Sequence, residues 1–294
     1  MLSCLTHESN LLCWRNGASM TIWVVLRNAP GLCPSGRGPR GWAGVLACAL
    51  AILLPAAGPS YTKTADSTLL ATRSYVARWL AALPDIVCQQ TTERFTLNLR
   101  QMWRRDEISQ AELTVEQGVE RYRLLSVNGQ PPSQAQSAAA HLQASSGEFL
   151  SAVRRLFDPI SQAEFQRRGS REEHGRKLCR YDFRILQANS QWYVGADPGY
   201  RPAYSGSIWV DLVDGGPARL DMKSRAFPSS IPIRMATMQT TFELAPINGE
   251  FRLLPSRSEV VVFANWGYAE RRVIRYSNYR RFAAASRILP AKPE

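Results

Sequence analysis

"YSGSIWVDLVDGGPARLDM", residues Tyr204 to Met222, alternates apolar and polar side chains on both sides of a Gly215–Gly216 pair. That period of two, broken by glycines, is the pattern of two antiparallel strands joined by a turn. In the first strand Ile208, Val210 and Leu212 point one way, and Trp209, Asp211 and Val213 the other. In the return strand Ala218, Leu220 and Met222 share a face opposite Arg219 and Asp221. The hairpin therefore has one apolar face, and the rest of the chain must show what that face holds.

The same face runs on through later segments. Met238, Phe242 and Leu244 alternate in one, and Val260 and Val262 in the next. From Cys179 onward the pattern predicts strands at 179–187, 191–195, 205–213, 217–224, 235–246, 250–264 and 268–279. Short turns join them, among them Asn248–Gly249, so the connectivity is an antiparallel meander. Upstream, Phe95, Leu97 and Leu99 alternate in "TERFTLNLRQMW". "AELTVEQGVERYRLLSVNGQPP" adds two more strands before an Asn128–Gly129 turn.

Helices are few. "ADSTLLATRSYVARWLAALPD" starts at Asp66 or Ser67 and stops before Pro84, with Leu69, Val76, Leu80 and Leu83 on one face beside Trp79. "GEFLSAVRRLF" follows Ser146 and gathers Phe149, Val153 and Phe157. Ser161-x-x-Glu164 has the form of a capping box for a further short helix. The polar, Ala-rich stretch 131–146 reads as a loop, and "RRGSREEHGRK" as a solvated charged connection. The fold class is α+β and β-dominated: a curled antiparallel sheet (an incomplete β-barrel) with an N-terminal helix and a mid-chain helical excursion. A sheet of eight to ten strands curls because strand twist accumulates. Its concave face is filled either by the protein's own side chains or by a ligand. Phe95, Leu97, Ile208, Val210, Leu212, Leu220, Met222, Phe242, Leu244, Val260 and Val262 are the candidate lining.

The N-terminus addresses the compartment. "GRGPRGWAGVLACALAILLPAAGPSYT" places Arg37 and Arg40 before an apolar run, Gly41–Leu54, and small residues after it. This is the order of a secretory signal, and the run is shorter than the roughly 18 residues that span a bilayer. Val45–Leu46–Ala47–Cys48 looks like a lipobox, but most of the apolar core follows Cys48. The expected division is a leader plus signal over 1–57, a single half-barrel domain over 58–290, and a disordered tail over 291–294. About 35 residues precede the signal, so the true start is expected downstream of Met1.

Of 294 residues, 36 are Lys or Arg and 24 Asp or Glu, a net charge of +12. Removing residues 1–57 leaves 32 basic and 23 acidic side chains, a net +9. Such a balance favours anionic partners, and for an exported protein an anionic membrane surface rather than nucleic acid. The aromatic, Arg-rich "WGYAERRVIRYSNYRRF" reads as a solvated strand face before a polyanion site. Export also bears on the cysteines. Only Cys88 and Cys179 remain after residue 57, and in an oxidising compartment they are expected to form a disulfide.

Catalytic signatures are missing. No G-x-S-x-G or G-x-x-x-x-G-K-[ST] occurs, and His141 and His174 have no cysteine pair at metal-ligand spacing. Asp211 and Asp221 are the only acid–base pair the hairpin offers, and hairpin charges are ordinarily solvated. No catalytic residue, metal or cofactor is expected.

The phrase "SGSIWVDLVDGGPARLDM" resembles the hairpin of the bacterial lipoprotein-carrier (LolA/LolB-like) superfamily, in which a hydrophobic–Trp–hydrophobic–Asp strand returns through an Arg flanked by hydrophobics. "LPDIVCQQTTERF", "SGEFLSAVRRLFDP" and "VIRYSNYRRF" are similar to segments of exported bacterial proteins related to that group. The resemblance covers roughly residues 67–282. It implies an incomplete barrel with a helical lid over an apolar cavity, and a lipid or acylated protein as partner. The function expected is non-catalytic binding or transport of a lipid, an acyl chain or another apolar ligand in the cell envelope. The alternative is an exported structural or interaction module with a closed core and a basic surface.

Overall fold

The computed structural model describes residues 66–98, 100–137, 148–195 and 199–282. The leader and signal over 1–57 and the tail at 291–294 lie outside the described residues. Helix α1 spans Ser67–Ala82 and α2 Ser151–Phe157. Ten strands follow the chain: β1 (Ile86–Leu97), β2 (Trp103–Glu116), β3 (Val119–Val127), β4 (Glu164–Glu173), β5 (Arg176–Ile185), β6 (Tyr204–Asp211), β7 (Pro217–Ser224), β8 (Ile233–Ile247), β9 (Glu250–Ala264) and β10 (Ala269–Arg281). They form one sheet in the order β3-β2-β1-β10-β9-β8-β7-β6-β5-β4. Every neighbouring pair is antiparallel, and β3 and β4 remain as free edges.

Three of the turns are two-residue links ending in glycine: Gln117–Gly118, His174–Gly175 and Asn248–Gly249, all at positive φ. That geometry matches the strand twist and is cheapest with glycine second. The β6–β7 turn is different. Asp211 accepts the Val213 N–H (2.8 Å) and Asp214 the Gly216 N–H (2.6 Å), so two carboxylates shape it. Gly215, at φ +80°, abuts the α1 backbone: a Cβ there would stand 3.1 Å from Thr72 Cα. The glycine lets the helix lie close against the hairpin.

Asp66 starts α1 by accepting the amides of Thr68 (2.9 Å) and Leu69 (3.4 Å). The start of α2 is capped from outside: Glu120 of β3 accepts the Leu150 and Ser151 amides and the Ser151 hydroxyl. Both helices lie on one face of the sheet, and their Val76, Trp79, Val153 and Leu156 share a core with the strands.

Three sequence expectations are corrected. "RRGSREE" is no loop but β4, an edge strand whose charges and break in register at Gly169 suit an edge that must not recruit another strand. Ser161-x-x-Glu164 caps no helix, because a single 3₁₀ turn at Pro159–Ser161 runs straight into β4 at Glu164. The segment 191–195 is not a strand: only Val194 bridges to Tyr200, and buried Trp192 packs edge-on to Tyr204 at 5.4 Å.

Candidate functional site

Strand register sorts the side chains onto two faces. Across β5 to β9, Phe183, Gly206, Met222, Met238 and Val260 lie in one row, and Tyr181, Ile208, Leu220, Thr240 and Ser258 in the next. These rows form the floor beneath the helices. Ile208, Val210 and Leu220 are fully buried there, and Met222, Phe242 and Val260 nearly so. Leu212 and Val262 are half-buried against the same cluster. The apolar face of the opening hairpin thus packs on Val76 and Trp79 of α1 and on Phe149, Val153 and Leu156 at α2.

The other candidates lie elsewhere. Phe95 and Leu97 occupy odd positions of β1, where the floor takes the even positions Ile86, Cys88 and Gln90. Phe95 sits opposite Arg271 on the outer face, with that guanidinium 5.4 Å from its ring centroid. Leu244 is 66% exposed. The register shift between Thr241 and Phe242 places an extra residue, Ser256, on β9 and leaves the alternation of β8 intact. Beyond it β8 and β9 pair only with each other, so Leu244 keeps the parity of Thr240 and Phe242 but lies on the part of the hairpin that extends past β7 and β10. A two-residue period says which side chains share a face, but not where along a strand that face stops being covered.

The strand expected at 179–187 is present as β5, but the candidate lining left out its Cys179, Tyr181, Phe183 and Ile185, all fully or almost fully buried. Their alternation in "CRYDFRI" was the available signal. Gly206 is also part of this floor: it lies opposite Phe183, and a Cβ there would stand 2.7 Å from Phe183 Cζ and 1.9 Å from the Asp221 carbonyl oxygen.

The cover is tied down by few polar bonds. Trp79 Nε1 donates to the Leu253 carbonyl (2.9 Å). The Thr240 and Ser258 hydroxyls, 2.9 Å apart, both reach the Glu148 carbonyl, at 3.0 and 3.1 Å. Arg154 Nη1 donates to the Gly118 carbonyl (2.6 Å). These bonds explain two polar residues in an apolar floor: they receive backbone that would otherwise be buried unpaired.

Titratable groups of the floor are held neutral. Burial pushes the Tyr204 hydroxyl up to about 12. Burial also raises Tyr276, with the Glu148 charge adding to it, and Tyr122, where Glu120 adds. Burial, then the Glu120 charge, pushes the Cys88 thiol up to about 12. The expected Cys88–Cys179 disulfide is not formed: both are buried free thiols. Cys88 is on β1 and Cys179 on β5, with β10, β9, β8, β7 and β6 between them in the sheet. Strands about 4.8 Å apart put that separation far beyond the roughly 7 Å Cα limit of a bridge.

Asp211 and Asp221 do not act together. Asp211 is buried in the turn against Arg176 (2.8 Å). Burial pulls its pKa up, but the Val213 amide and Arg176 outweigh that and leave it below the ordinary 3.8. Asp221 lies on the outer face, bound by Arg219 (2.9 Å) and Gln239 (2.7 Å). Among the described residues no group of three His, Cys, Asp or Glu is placed to hold a metal. No helix among them is long and apolar enough to cross a membrane.

No family model and no curated protein matches this chain. Solved structures do. A LolA-superfamily protein from Nitrosomonas europaea is 10% identical, with 73% of this chain and 94% of that one covered at a TM-score of 0.31. A DUF1329-family protein from Desulfovibrio piger is 10% identical over 74% and 95%, at 0.34. Lipoprotein LppX of Mycobacterium tuberculosis is 11% identical over 75% and 100%, at 0.29. At these identities and TM-scores the likenesses carry no statement about this chain's family, ligand or activity.

Proposed function

We propose that this chain is a non-catalytic protein of the cell envelope that lodges an acyl chain, from a lipid or an acylated protein, between the sheet floor and its helical cover. The reading rests on one observation: an apolar floor spanning β5–β9 is covered by a 16-residue and a seven-residue helix held by side-chain packing and a limited set of polar bonds, those from α2 to Glu120 included. Such a cover lifts without breaking any hydrogen bond of the sheet. The apolar surface it uncovers then needs a replacement, and an acyl chain supplies one at about 0.8 kcal/mol per buried CH₂. Export is supported by the signal-like run at 36–57. A net positive charge makes an anionic membrane surface the fitting source or destination. A single half-barrel domain over 58–290 is the unit proposed to do this.

A second reading is favoured by the filled floor, where Ile208, Val210 and Leu220 are fully buried against the helices. In that reading the chain is an interaction module, and its core never opens. Native mass spectrometry of the full chain, exported to a periplasm and purified without detergent, separates the two. An adduct of lipid mass that is lost on organic extraction supports the acyl-chain reading. A bare chain that also fails to take up a fluorescent fatty acid overturns it in favour of the closed module.

A further inference from the structure

The outer face of the sheet has an order of its own. Asp182, Ser207, Asp221, Gln239 and Glu259 stand in one row across five strands, and Ser205, Lys223, Thr237 and Val261 in the adjacent row. Between them lies a trough of about 500 Å³. It exists because Ser205, Ser207 and Thr237 are short, while Arg180, Gln239 and Glu259 rise around them.

The charges of the trough are unevenly used. Asp182 is engaged by Arg168 (2.8 Å) and Arg180 (2.9 Å), Asp221 by Arg219 (2.9 Å), and Glu259 by Arg257 (2.6 Å) and Arg271 (3.1 Å). Lys223 is different: it has no ion-pair partner among the described residues, and its cross-strand neighbours are the hydroxyl residues Ser205 and Thr237. We infer that this trough is a second ligand site, separate from the floor, and that it takes a sugar bearing one anionic group.

Each part of that ligand answers a part of the trough. The lone ammonium beside two hydroxyls takes the anion as a charge-assisted contact. Asp221 is held by Arg219, Gln239 (2.7 Å) and Ser207 (3.3 Å), which leaves the Gln239 carbonyl oxygen, the Ser207 lone pairs and the remaining lone pairs of Asp182 and Glu259 to accept from sugar hydroxyls. The volume falls in the range of about 300–1,000 Å³ usual for small-molecule sites. An extended polyanion is disfavoured, since the acidic row would run alongside it. The inference does not depend on the acyl-chain reading of the opposite face.

Isothermal titration of the full chain with glucose 6-phosphate, glucose and inorganic phosphate tests it. Glucose 6-phosphate is expected to bind more tightly than either fragment. Lys223→Gln is expected to weaken it about tenfold or more, with an unchanged far-UV spectrum and melting temperature. Lys177→Gln, at a lysine outside the trough, is expected to leave it unchanged. Three outcomes overturn the site: no heat with any ligand, inorganic phosphate binding as tightly as the sugar phosphate, or equal losses in the two lysine variants.

Discussion

Replacing Trp79 by Phe tests how the cover is held. Trp79 is buried; its indole N–H donates to the Leu253 carbonyl at 2.9 Å, and its ring meets Phe242 edge-on at 6.0 Å. Phenylalanine keeps an aromatic ring against Phe242 and the helical propensity of the site, so the change is concentrated on the N–H and on part of the ring volume. Stranding a buried carbonyl costs about 1–3 kcal/mol. The smaller ring leaves a void that adds roughly 1 kcal/mol at about 24 cal/mol per Å³. The expected loss is about 2–4 kcal/mol, which lowers the melting temperature of a domain this size by roughly 4–16 °C. Urea unfolding followed by far-UV circular dichroism reads the stability without relying on tryptophan emission. Trp266→Phe, at a residue 54% exposed, is the matched control and should stay within about 0.5 kcal/mol. If Trp79→Phe also stays within that margin, the bond to Leu253 does not hold the cover, and a cover fastened at a few polar points is the wrong picture. Should the cover open for an acyl chain, the same variant takes up a fluorescent fatty acid faster than the parent.

Leu220→Ala, at a fully buried floor position, should cost about 2–5 kcal/mol, while Leu244→Ala should be nearly neutral; equal losses in urea unfolding would refute the placing of Leu244 on an uncovered extension of the β8–β9 hairpin. Gly206→Ala places a Cβ 1.9 Å from the Asp221 carbonyl oxygen, and the β6–β7 pairing must shift to admit it. Expression with a native-like spectrum and melting point would contradict that contact. Asp211 has a depressed pKa in the folded state, so its contribution is present above the unfolded value near 3.8 and is lost as pH falls through the lower folded value. Asp211→Asn should therefore be less stable at pH 7, with the gap to the parent closing in acid melts; a gap constant down to pH 2 would be inconsistent with the Arg176 pair. Both floor thiols should resist iodoacetamide at pH 8 in the native protein and react fully in denaturant without reductant. Peptide mapping that finds Cys88 and Cys179 joined would restore the disulfide.

The period-two segments from residue 205 onward carried the sheet well because one face of each strand is buried against helices, and burial forces the alternation. The same rule failed wherever the chain leaves the flat ladder. It placed Leu244 in the floor although the β8–β9 hairpin there extends past β7 and β10, and it assigned Phe95 and Leu97 to the floor, although Cys88 and Gln90 on the alternate positions are the ones the floor takes. It missed β4, because an edge strand exposed on both faces has no apolar face to announce it, and its backbone pairing with β5 depends on residues far from its own composition. Cysteine counting erred for a related reason: compartment and number say that two thiols are able to pair, while distance across the sheet decides whether they do. The trough was illegible for a stronger reason still. Its residues are small polar and charged side chains that read one by one as solvated strand face, which most of them are. Lys223 differs from its neighbours only through what stands directly opposite it on the two flanking strands: two hydroxyls and no carboxylate, while Arg180, Arg219, Arg257 and Arg271 around the trough are paired. An unpaired charge is a property of register across strands, and register is the quantity that a one-dimensional pattern of hydrophobicity leaves undetermined on a polar face.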